Sequence, residues 1–230
     1  MAVVCIAGTS QGIGKTAVAE LLLSHLPGWS VARVRVADEI SPSDAAILGD
    51  MGNMLVPAAA VEADAEMARL LASGAREAAI LLAQPRELAD GLRAMFGRLP
   101  HEANVLVEGN AYLWAAAADV TVMVIGPGPS GKGLGRVRQS ARELFGKVSI
   151  WAWNTRAESG DEGFFDFPLD LARMGFRETV SNRADYHHVN PRDGGHSGNA
   201  PFVEAVRQRL ERSQWRRGSD EFLRRVGFDT

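Results

Sequence analysis

Near the start of the chain the residues Gly8-Thr9-Ser10-Gln11-Gly12-Ile13-Gly14-Lys15-Thr16 combine glycines with a lysine and several hydroxyls. A backbone that wraps an anion must turn its N–H groups inward, which small and φ-permissive residues allow, and a helix beginning at the loop's end adds the positive end of its dipole. In that arrangement Lys15 reaches the β- and γ-phosphates of a nucleoside triphosphate and the Thr16 hydroxyl sits on Mg²⁺. The expected nucleotide cradle therefore runs from Gly8 through Ala17. The usual spacing of such a loop, Gly-x4-Gly-Lys-Ser/Thr, asks for glycine at position 9, where this chain has Thr9 with Gly8 one residue earlier.

A second string, Gly126-Pro127-Gly128-Pro129-Ser130-Gly131-Lys132-Gly133, has the same glycine and lysine spacing but lacks the hydroxyl. Its prolines remove N–H donors from a would-be anion nest, so it reads as a loop over the same sheet edge, with Lys132 placed to approach a bound anion. Glu108 closes an apolar run, and because glutamate is rarely buried unpaired, it reads as a metal ligand. Asp38, just past the second apolar run, stands where phosphate-loop enzymes often keep a metal-associated carboxylate. His187, His188 and His196, with Asp185 and Asp193, match no tight metal-binding spacing.

The elements that must carry these residues follow from periodicity. Ala2 to Ala7 is a short β-branched apolar run, the pattern of a strand buried on both faces. Thr16 to Leu26 keeps helical phase through Val18, Leu21, Leu22 and Leu26 until Pro27-Gly28. Val31 to Val36 predicts a second strand with Arg33 and Arg35 standing out from one face, and Ile40 to Pro57 reads as a loop-rich insertion with one short helix near Asp44 to Leu48. Helices are expected over Ala60 to Ala72, Pro85 to Phe96 and Leu134 to Phe145. Strands are expected at Ala78 to Ala83, Asn104 to Val107, Asp119 to Ile125 and Val148 to Trp153. Strands alternating with helices of this length imply βαβ units, hence an α/β fold with a mostly parallel central sheet and helices on both faces. Asn182 to Ala200 is rich in turn-formers and reads as a long surface loop or lid. Pro201 to Trp215 returns to helical spacing, and the arginines of the last turns read as a solvated face.

The totals are those of an ordinary globular chain. Its 230 residues are 46% hydrophobic and 23% charged, with a net charge of −3, so bulk charge gives no reason to expect nucleic acid or an anionic membrane as partner. One cysteine cannot close an intrachain disulfide, and no signal-like segment opens the chain, so a cytoplasmic location is expected. Residues 1–175 read as the nucleotide-binding domain, with 176–230 a C-terminal loop and helical extension packed on it.

Gly-Thr-x-x-Gly-Ile-Gly-Lys-Thr, with threonine at the first motif position, resembles the phosphate loop of the P-loop NTPases of the dethiobiotin synthetase and cobyrinic acid amide synthase group. Further matches come in order. Val34-Arg35-Val36 is similar to the family's Lys-Pro-Val, which makes Arg35 the counterpart of a lysine contacting phosphate and substrate. Ser43-Asp44-Ala45 is similar to a segment supplying a Mg²⁺-binding aspartate, so Asp44 competes with Asp38 for that role. Val105 to Gly109 reproduces Val-Leu-Val-Glu-Gly, whose glutamate also binds Mg²⁺, and Asn154 looks like the asparagine that holds adenine. The likeness spans about residues 2 to 156. It implies Mg²⁺ and ATP as cofactors and a homodimer acting on a small molecule. It also implies phosphoryl transfer to a carboxylate or carbamate in cofactor synthesis, with Lys15, Arg35 and Lys132 as the catalytic cations.

Two departures bear on the second substrate. The family's Glu-Gly continues as Ala-Gly-Gly, whereas this chain reads Asn110-Ala111-Tyr112-Leu113, and the lysine equivalent is an arginine. The Val-Glu-Gly ending and the basic residue after the second strand also resemble protein B of molybdopterin-guanine dinucleotide synthesis, a GTP-binding accessory protein, which keeps GTP open as the nucleotide. No Asn-Lys-x-Asp guanine signature is present. Switch ATPases that position chromosomes carry an extra lysine at the place of Ser10, and its absence argues against that type.

Overall fold

The computed structural model describes residues 1–36, 45–46, 48–49, 51–100, 102–127, 137–155 and 184–225, the last of these without side chains beyond 220. An eight-stranded sheet runs through them. Strand β1 (Val3–Gly8) lies inside it, hydrogen-bonded in parallel to β5 (Val105–Glu108) on one side and β6 (Val120–Ile125) on the other. Beyond β5 come β2 (Ser30–Val36), β4 (Ala78–Ala83) and the short antiparallel β3 (Asn53–Leu55); beyond β6 come β7 (Ile150–Asn154) and β8 (Asp185–Val189). The order β3-β4-β2-β5-β1-β6-β7-β8 is parallel except for β3.

Strand β1 is buried at every residue, as a central strand covered on both faces must be. Its alternate side chains feed two separate cores. Val4 and Ile6 join Leu106, Val122, Leu22, Phe202 and Val206 on one face, while Cys5 and Ala7 join Val107, Met123, Met95, Phe145 and Trp151 on the other. Helix α1 (Lys15–Leu23) covers the first face beside β1 and β5. Near it lie α2 (Ala58–Ala63) and α3 (Ala65–Ala72). On the second face α4 (Leu88–Arg98) packs near β3 and β4, with the short α5 (Tyr112–Ala115) and α6 (Gln139–Arg142) further along. Helix α7 (Asn199–Arg225) closes the first face over β6, β7 and β8. No helix among the described residues is long and apolar enough to cross a membrane.

Four expectations change against this frame. Helix α1 ends at Leu23 rather than Leu26, because the chain tightens into i→i+3 turns, His25 N–H to Leu22 and Leu26 N–H to Leu23, before Gly28 turns at positive φ. The helix expected over Ala60 to Ala72 is two helices. Asp64 between them is extended at ψ 117, and its carboxylate accepts from the N–H groups of Glu66 and Met67 at 3.0 Å, starting a fresh helix in place of continuing the old one. Of the helix expected from Leu134 to Phe145, the described part holds α6 and a 3-10 turn over Phe145–Lys147.

The fourth change is the largest. Asn182 to Ala200 is not one long loop, since Asp185–Val189 adds an edge strand parallel to β7. Val189 is buried and His187 packs at 6.0 Å from Phe202 on one face, while Tyr186 packs against the second core on the other, so this polar segment is an edge strand of the sheet. The turn that follows is clasped by Asn199, whose side chain accepts from Asn190 N–H at 2.9 Å and donates to the Asn190 and Asp193 carbonyls. Of the short helix expected near Asp44 to Leu48, the described residues Ala45, Ala46 and Leu48 are helical, whereas Asp38, Asp44 and Lys132 lie outside the described residues.

Candidate functional site

The loop Gly8 to Thr16 leaves the C-terminal end of β1 and enters α1, at the carboxyl edge of the parallel strands where open α/β sheets bind ligands. Its conformation depends on glycine. Gly14 caps α1 at φ 100 and ψ 23, a left-handed geometry open to glycine, and a Cβ there would strike the Asn154 amide nitrogen. The first helical N–H groups have no partner within the helix, and the first turn carries no acidic side chain of its own, so the positive helix end faces the loop. That is a cradle fitted to phosphate.

Two asparagines from distant strands hold the loop. Asn110, which follows β5, accepts from Gly8 N–H at 2.8 Å and returns its amide N–H to the Gly8 carbonyl at 3.0 Å. Asn154, at the end of β7, donates Nδ2 to the Ile13 carbonyl at 3.0 Å. Both side chains are buried. From the other side Arg138 joins the loop, its N–H bonded to the Thr9 carbonyl at 2.9 Å and its guanidinium to Gln11 Oε1 at 3.3 Å. Asn110 and Arg138 are site residues that sequence reasoning missed. Asn110 was visible only as a departure from a family pattern, and for Arg138 no local signal exists.

The metal-linked chemistry gathers at Glu108. The Thr16 hydroxyl donates to Glu108 Oε1 at 3.0 Å, joining residues 92 apart in the chain. This geometry brings together two of the expected metal ligands, and a hydroxyl beside a carboxylate is the oxygen donor set that Mg²⁺ takes. Gly109 follows at φ 135 because a Cβ would run into the Val34 carbonyl, which explains glycine after the glutamate. Among the described residues no group of three or more histidine, cysteine or acidic side chains is placed to hold a metal ion by itself.

Arg33 is where the reading of β2 fails. Expected to stand out from the sheet beside Arg35, its side chain is only 4% exposed, and Nη2 donates to Glu108 Oε2 at 2.8 Å. Register explains it: Arg33 lies directly across from Glu108 on β5, on the face covered by α1. Nη1 reaches Glu66 at 2.8 Å and Asp64 at 3.5 Å. Burial alone would lower the guanidinium pKa, but Glu108, Glu66 and Asp64 together outweigh it and raise it. Arg35 is half-buried one pleat further on, with Nη2 at 3.9 Å from both Asp64 and Glu66. The basic stripe of β2 thus meets the acidic start of α3 at the mouth of the site.

These features define a P-loop NTPase fold: a parallel sheet with β1 inside it, a glycine-rich loop running into α1, and a carboxylate on the adjacent β5 bonded to the loop hydroxyl. Solved structures with similarity to the chain include the signal recognition particle receptor FtsY from Elizabethkingia anophelis. The TM-score is 0.40 at 14% identity, over 89% of this chain and 64% of that one. A de novo designed protein with a P-loop NTPase fold is similar at a TM-score of 0.32 and 12% identity, over 93% of this chain and 94% of that one. No protein-family model and no curated protein matches the sequence.

Proposed function

We propose that this chain binds a nucleoside triphosphate with Mg²⁺ and transfers its terminal phosphoryl group to a small carboxylate or carbamate, acting as a cytoplasmic homodimer in cofactor synthesis. The observation that carries the nucleotide part is the bond from the Thr16 hydroxyl to Glu108 at the mouth of an uncapped helix. Lys15 opens α1 and carries the charge that holds the β- and γ-phosphates. Thr16 and Glu108 are the residues that would hold Mg²⁺, which would supply neutralisation of charge on the triphosphate. Arg35, at the mouth and only partly buried, is the cation that orients an acidic acceptor, with Lys132 as a second. Asp38 and Asp44 are the further carboxylates that the reading assigns to metal. The acceptor oxygen forms a bond to the γ-phosphorus as the bond to the bridging oxygen breaks, so positioning and electrostatics do the catalytic work.

Adenine is favoured by one contact. With Nδ2 of Asn154 directed to the Ile13 carbonyl, its Oδ1 is left as an acceptor. An acceptor suits the exocyclic amine of adenine and repels the carbonyl that guanine carries at the same place.

Isothermal titration with ATP and GTP analogues in Mg²⁺, beside Lys15→Ala, tests the nucleotide reading. Adenine-nucleotide binding that disappears in the variant is expected, followed by ATP hydrolysis that depends on an added small carboxylate. A guanine preference, with slow turnover whatever small molecule is added, would instead point to a GTP-binding accessory protein. No binding of either nucleotide would overturn the reading, and light scattering on the same sample checks the dimer.

A further inference from the structure

Both oxygens of Glu108 are engaged by protein donors. Oε1 accepts from Thr16 and Oε2 from Arg33, and the Glu108 and Arg33 side chains are 7% and 4% exposed. A guanidinium this deep needs partners, and both ends of its fork have them: Nη2 sits on Glu108 and Nη1 on Glu66 and Asp64. So the carboxylate best placed to meet a metal carries a protein cation instead.

We propose, resting on the nucleotide-site reading above, that Arg33 is a positioning residue that serves as the resident cation of Glu108, closing that carboxylate to a free divalent ion so that metal enters only together with the nucleotide. Glu108 has a protein donor on each oxygen, Thr16 on Oε1 and the guanidinium on Oε2, and Mg²⁺ gives up its water reluctantly to compete for them. A triphosphate in the loop changes that balance by bringing negative charge to the Thr16 side of Glu108. Arg33 has somewhere to go, since its Nη1 contacts with Glu66 and Asp64 are independent of its Nη2 contact with Glu108.

Thermal unfolding with and without Mg²⁺, in the absence of nucleotide, tests this on the full chain and on Arg33→Gln, Arg33→Lys and the double variant Arg33→Gln/Glu108→Gln. The wild type and Arg33→Lys, which keeps a cation beside Glu108, should hold the same midpoint in both buffers. Arg33→Gln should melt lower without metal and recover on adding it. With Mg²⁺ about tenfold above its dissociation constant, the expected rise is roughly 3 to 6 °C for a chain of this size. The double variant, which lacks both Arg33 and the Glu108 carboxylate, should lose the response. Stabilisation of the wild type or of Arg33→Lys as large as that of Arg33→Gln overturns the proposal. So does an Arg33→Gln protein that gains nothing from Mg²⁺ or stays unfolded at every Mg²⁺ concentration, or a response that survives in the double variant. Failure of the nucleotide reading is distinguishable: it appears as a wild type that binds no nucleotide in the titration, whereas this proposal stands or falls on the response to metal alone.

Discussion

Replacing Asn110 asks whether the phosphate loop takes its shape from its own glycines or from the sheet beneath it. Its side chain is buried and bonds both the N–H and the carbonyl of Gly8, at 2.8 and 3.0 Å. Asn110→Ala therefore strips the partners from a donor and an acceptor at once. Each buried group left unsatisfied costs about 1–3 kcal/mol, so the loss is about 2–6 kcal/mol, with a water in the vacated space moving it toward the lower bound. For a chain of this length that is a fall in Tm of roughly 4 to 24 °C. Asn110→Asp isolates the donor: the carboxylate still accepts from Gly8 N–H but turns a second oxygen on the Gly8 carbonyl, and only its protonated form can restore the lost bond. Its folded pKa is therefore raised above the unfolded value of about 3.9. That variant should come closest to the wild type below about pH 4 and lose stability as pH rises through the folded pKa. Urea unfolding at several pH values, with the m-value unchanged, is the assay. An Asn110→Ala protein within about 0.5 kcal/mol of the wild type, or an aspartate variant as stable as the wild type at pH 7, would refute the claim that the sheet clamps the loop.

Gly14→Ala should cost about 1–3 kcal/mol from the left-handed backbone alone and break the contact of Asn154 with the loop. Combining it with Asn154→Ala should relieve the clash but not the backbone strain, which a double-mutant cycle in urea will separate. Cys5 is fully buried and burial pushes its thiol far above the usual range, so it should resist a thiol reagent under native conditions and react at the rate of unfolding. Burial lowers the pKa of His187, against a smaller opposite pull from Asp185, so the folded state prefers the neutral ring. Its contribution is present above the unfolded pKa of about 6.5 and is lost as pH falls through the folded value. His187→Leu should flatten the decline in urea midpoint between pH 7.5 and pH 5.

What was legible in the sequence is what adjacent residues decide. The phosphate loop, the buried strand before it and the helix after it occupy one contiguous stretch, and the backbone conformation of Gly14 is a property of that stretch. The end of β5 could be read the same way, because an apolar run that closes on Glu-Gly signals both the strand and the acid at its tip. The turn-rich composition around Asp185 to Val189 misled, since the cover of this edge strand comes from elsewhere in the chain, Phe202 of a later helix on one face and, at Tyr186, the second core on the other.

The remainder of the site belongs to the tertiary structure. Arg33 and Arg35 alternate in β2 as two similar basic residues, yet pairing with β5 sets one across from Glu108, 75 residues away, and leaves the other at the mouth. Asn110 meets Gly8 across 102 residues and Asn154 meets Ile13 across 141. No periodicity in the sequence encodes those distances. They come from which strands neighbour β1, and with side chains alternating every second residue, strand order and register together decide whether a charge faces water or a buried partner.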